Sequence, residues 1–143
     1  MTLAAKQVTE ALAARLAPMV ATGGRVFESR TVRLTDADLP CWRVVAAGES
    51  AEPLSFSGAN RHTLDVLAGA YARDTADLED VLSALLATGQ PLLFADPLPY
   101  GLQLVAIDRD VVTFGEASVG VYTLTLRATY VVDPRQPETM LSA

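Results

Sequence analysis

The sequence predicts an α+β fold: a mostly antiparallel sheet of about four to five strands with helices packed on one face. Three observations carry this expectation. Val121 to Val132, V-Y-T-L-T-L-R-A-T-Y-V-V, alternates strictly, placing Tyr122, Leu124, Leu126, Ala128, Tyr130 and Val132 on one face and the threonines and Arg127 on the other. Two other stretches, one opening at Leu3 and one centred on Leu82, space their apolar residues as helices do. The order is helix, strands, helix, strands, without the helix between successive strands that a doubly wound nucleotide-binding fold requires.

Taken in order, Leu3, Val8, Leu12, Leu16 and Met19 recur at helical spacing, with Lys6, Glu10 and Arg15 on other faces. Pro18 ends or kinks this first helix, and Gly23-Gly24 stops what remains. Arg25 to Glu28 suits a short strand, and Asp36, Asp38 and Pro40 mark Leu34 to Pro40 as a loop. Cys41 to Glu49 reads as a second strand with two fairly apolar faces, followed by a linker holding Pro53 and Gly58.

Arg61 to Arg73 alternates again, with His62, Leu64, Val66, Ala68 and Ala70 on one side, and Gly69 is a candidate bulge. Asp74 or Thr75 is placed to cap a second helix with Asp77, Glu79 and Asp80 in its first turn, where the helix dipole favours negative charge. Leu78, Val81, Leu82, Leu85 and Leu86 form its apolar stripe, and Gly89 is placed to end it. Three prolines between Pro91 and Gly101 predict an irregular connection. Leu102 to Asp108 is a fourth strand, continued through Val111 to Phe114 into a Gly/Ser loop spanning Gly115 to Gly120. Residues 1–132 then make one domain, and 133–143 a flexible C-terminal tail.

Composition narrows the function classes. A chain of 143 residues, half of them hydrophobic, is long enough for one proper core. A net charge of −6 argues against gripping nucleic-acid phosphates or anionic membranes. No apolar run approaches the roughly 20 residues of a membrane span, and no charged start with an apolar signal core opens the chain. The expected setting is a cytoplasm, or a particle assembled there.

No convergent chemical motif stands out. The one histidine, His62, lies on the apolar side of a strand and rules out a multi-histidine metal site. The one cysteine, Cys41, lacks a nearby base and reads as a small buried filler. Trp42 reads as core or subunit packing rather than a recognition aromatic. Asp36 and Asp38 are a conceivable carboxylate pair, but alternating acids in a loop are more often turn formers or interface charges. Neither Gly23-Gly24 nor Gly115 to Gly120 carries the Lys and Ser/Thr of a phosphate loop. The expectation is a protein that is not an enzyme and needs no cofactor or metal.

The series R-V-F-E-S-R, then L-T-D-A-D-L-P-C-W-R-V-V-A-A-G-E, then a long strand, an acidic-capped helix and Y-T-L-T-L-R-A-T-Y resembles the tail terminator proteins of long-tailed bacteriophages, the family of the lambda minor tail protein U. The local feature is an acidic loop running into Leu-Pro and an apolar strand: Asp36, Asp38, Leu39, Pro40 and the strand from Cys41. The resemblance covers about residues 3 to 132. It implies a virion structural protein that forms a ring, usually of six copies, at the head-proximal end of the tail. There it would stop polymerisation of the tail tube protein and offer a joining surface to a head-completion protein. The stretches Ser29 to Pro40, Glu49 to Asn60 and Asp108 to Gly120 are then candidate contact loops, with Arg30, Arg33, Asp36, Asp38 and Glu116 the candidate interface charges. Two alternatives stay open: another head-tail or neck completion protein, and a small α+β ligand-binding or enzyme domain with a polar pocket near His62, Trp42 or Tyr122.

Overall fold

In the computed structural model, which describes residues 3–28, 36–54, 58–73, 75–95, 100–114, 117–135 and 140–141, two helices lie on one face of a six-stranded sheet. The elements are α1 (Leu3–Leu16), β1 (Val26–Phe27), a 3₁₀ turn (Asp36–Asp38), β2 (Cys41–Pro53), β3 (Asn60–Arg73), α2 (Leu78–Leu93), β4 (Gly101–Phe114), β5 (Ala117–Val132) and β6 (Met140–Leu141). The strand order is β1-β2-β3-β5-β4, with β6 pairing β5. All pairings are antiparallel except β1 with β2. The α+β architecture with helices on one face of the sheet is the one the sequence predicts.

The core forms where the alternating faces meet the helices. Leu64, Val66, Ala68 and Ala70 of β3 stand beside Ala128, Leu126, Leu124 and Tyr122 of β5, each pair in direct register, and all are buried. Trp42 and Val44 of β2 extend the same face, and Val8, Leu12 and Leu16 of α1 and Leu82, Leu85 and Leu93 of α2 close over it. Each of these larger side chains contributes roughly 1.5–3 kcal/mol on burial, set against about 1–2 kcal/mol per ordered backbone residue. The strand from Val121 is therefore stable only under this helical roof. Arg15, at the end of α1, ties the two helices together by donating to the carbonyls of Leu92 and Ala95. Gly23 and Gly24 turn the chain out of α1 with φ of 58° and 77°, a region glycine enters without steric cost.

Several boundaries differ from the sequence expectation, each for a physical reason. Gly89 does not end α2. The helix continues to Leu93 with Pro91 inside it, and Gly89 is buried where a Cβ would stand 2.5 Å from Cζ2 of Trp42. The glycine serves close approach between helix and sheet, not chain reversal. Neither Asp74 nor Thr75 occupies the cap: α2 starts at Leu78 with Asp77 as the capping residue, making no side-chain cap bond, while the Thr75 hydroxyl donates to the Asp77 carboxylate at 2.6 Å. Asp74 lies outside the described residues.

Gly69 is not bulged, since it pairs in continuous register with Arg43 on one side and Thr123 on the other. It leaves room for the Tyr71 ring, which a Cβ would meet at 2.9 Å. The bulges fall instead between Ala46 and Gly48 in β2 and between Leu104 and Ala106 in β4. The two stretches expected as long loops are largely hairpin arms: β2 runs on until Pro53 pairs with Asn60, and β4 until Phe114 pairs with Ala117. Their polar residues keep strand geometry because each lies beside a neighbour with unsatisfied backbone groups. Within 133–143, expected as a flexible tail, Met140 and Leu141 pair with Val132 and Val131. Gly101 of β4 pairs with Thr129, so β5 continues past the start of β4 and offers that edge to β6.

Candidate functional site

Of the interface charges the sequence singles out, Arg30, Arg33 and Glu116 lie outside the described residues. Asp36 and Asp38 bound the 3₁₀ turn that leads through a cis Leu39-Pro40 bond into β2. Arg25 holds the exit of this turn: its Nε donates to the Pro40 carbonyl at 3.1 Å, and its own carbonyl accepts from the Trp42 backbone N–H at 3.1 Å. Asp38 is half-buried. The acidic loop is thus joined at its base to the first pairing of the sheet, β1 with β2.

Cys41 follows directly and is fully buried. Burial pushes its thiol up to about 11; the Arg43 charge opposes this and the Asp38 charge adds to it. Such a thiol is protonated at neutral pH, so it fits the filler role and not that of a nucleophile. Trp42 points to the opposite face, wholly inside the core, and its Nε1 donates to the Met19 sulfur at 3.2 Å. Both side chains are fully buried.

His62 belongs to a cluster that sequence reading did not assemble. Its ring stacks on Tyr130 with centroids 5.3 Å apart, and Nδ1 stands 3.5 Å from Oε2 of Glu49. Tyr130 donates its hydroxyl to the same carboxylate oxygen. The three residues come from β3, β5 and β2, and the strand register alone brings them together: Tyr130 lies directly opposite His62, and Glu49 opposite Leu64. Helix-facing alternation gave His62 and Tyr130 a common face. Glu49 joins them because the bulge before Gly48 returns it to that face.

A second polar link fastens α2 to β5. Tyr122 donates its hydroxyl to Glu79, which raises its pKa, with burial adding to the rise. Arg109 of β4 lies over the Tyr122 ring at 4.9 Å and 3.8 Å from the Glu79 carboxylate. On the sheet face away from the helices, Asp65 and Arg127 pair across β3 and β5 at 3.0 Å. They border an open cleft of about 400 Å³ shared with Gly48, Glu49, Ser50 and Thr63.

Among the described residues no group of three or more His, Cys, Asp or Glu is placed to hold a metal ion, and no helix is long and apolar enough to cross a membrane. What the polar clusters do is join elements: β2 to β3 and β5 through Glu49, and α2 to β5 and β4 through Glu79. They offer no nucleophile positioned beside a base. Neither a scan against protein-family models nor a search of curated proteins finds a match to this chain.

Proposed function

We propose that this protein is a tail terminator: a virion component that closes the head-proximal end of a phage tail tube as a ring of its own copies, most simply six, and presents the head-joining surface. The observation that carries the reading is the acidic turn Asp36–Asp38 running through Leu39-Pro40 into the apolar strand β2. It is set within the order of helix, strands, acidic-capped helix and closing hairpin on which the resemblance rests. A ring-forming cap works through complementary surfaces, which suits a chain whose polar clusters fasten elements together. The ring contact is heterologous, using two different patches per subunit, with a further surface for the tube protein and another for the head-completion protein. The acidic net charge of −6 suits a passage through which DNA moves without being held. Assembly takes place in the bacterial cytoplasm.

The direct test adds the purified protein to polymerising tube protein of the same phage and examines the products by negative-stain microscopy. Tubes of regulated length bearing a ring at one end are expected. Arg33→Glu or Asp36→Lys should give a folded chain of nearly unchanged melting temperature that no longer marks tube ends. Tube lengths unaffected at saturating protein, with no end density, would remove the reading.

A further inference from the structure

We draw no further inference here: the strongest candidate, the exposed apolar patch that Leu104, Ile107 and Val111 form on the helix-side face of the edge strand β4, carries nothing because nothing in the structure shows what covers it.

Discussion

Gly89→Ala isolates how the helical layer is fitted to the sheet. In an exposed helix interior this change would stabilise by about 1 kcal/mol through helix propensity. Here the added Cβ would lie 2.5 Å from Cζ2, 3.1 Å from Cη2 and 3.2 Å from Cε2 of Trp42, where carbon atoms pack best at about 3.5–4.0 Å. The indole has little freedom to yield: it is fully buried, and its Nε1 donates to Met19. Overpacking of this kind costs roughly 1–3 kcal/mol. With about 1 Å of displacement required, the upper part of that range applies, and after the propensity gain the net loss should be about 1–2 kcal/mol. Gly120→Ala is the matched control. Its Cβ would meet the Leu78 side-chain tip at an equal 2.5 Å, but that half-buried leucine can rotate away, so the loss should stay below about 1 kcal/mol. Urea denaturation followed by far-UV circular dichroism reads both variants without relying on the single tryptophan. Trp42→Phe in the Gly89→Ala background should show coupling of at least about 0.5 kcal/mol, because the smaller ring removes the atoms in conflict. A Gly89→Ala protein as stable as the parent, or a strictly additive double variant, would refute the argument.

Further outcomes follow from the same structure. Leu126→Lys should prevent soluble folding, since an unpaired charge in that core costs more than about 3 kcal/mol, whereas Thr125→Lys, on the other face of β5, should leave a folded chain; similar melting of both would show the faces to be misassigned. The Cys41 thiol, raised from 9.0 to about 11 by burial, keeps its proton when folded while the unfolded chain loses it. Its contribution to stability is therefore complete below pH 9 and lost as pH rises toward 11, and Cys41→Ala should flatten that alkaline limb in pH-dependent denaturation. Glu49→Ala leaves the Tyr130 hydroxyl without its carboxylate acceptor and should cost about 1–3 kcal/mol. Hydrogen exchange should show the loss concentrated in the Glu49–Pro53 end of β2; uniform loosening across the sheet would contradict the assignment.

The faces of β3 and β5 were legible in the sequence because strand alternation is local and a covered sheet demands it: His62, Leu64 and Val66, and Tyr122 through Tyr130, all lie where the pattern puts them. The helical stripe at Leu82 and Leu85 was equally plain. Of the candidate interface charges, Asp38 is placed half-buried beside the base of its loop, and the resemblance alone gave it a role. Elements whose reason for existing lies across the fold were not legible. The arm Glu49–Pro53 has weak strand propensity and pairs because β3 is there to pair with. Gly89 has the local signature of a helix end, and only the indole of Trp42, 47 positions earlier in the chain, explains why the helix passes through it. The meeting of Glu49, His62 and Tyr130 likewise needs a register and a bulge that no local pattern encodes. Sequence by itself determined which surfaces must be buried, since hydrophobic periodicity is a property of neighbouring residues. Tertiary structure decided which strands pair, where the helices stop and which apolar face stays uncovered, because these depend on contacts between residues far apart in the chain.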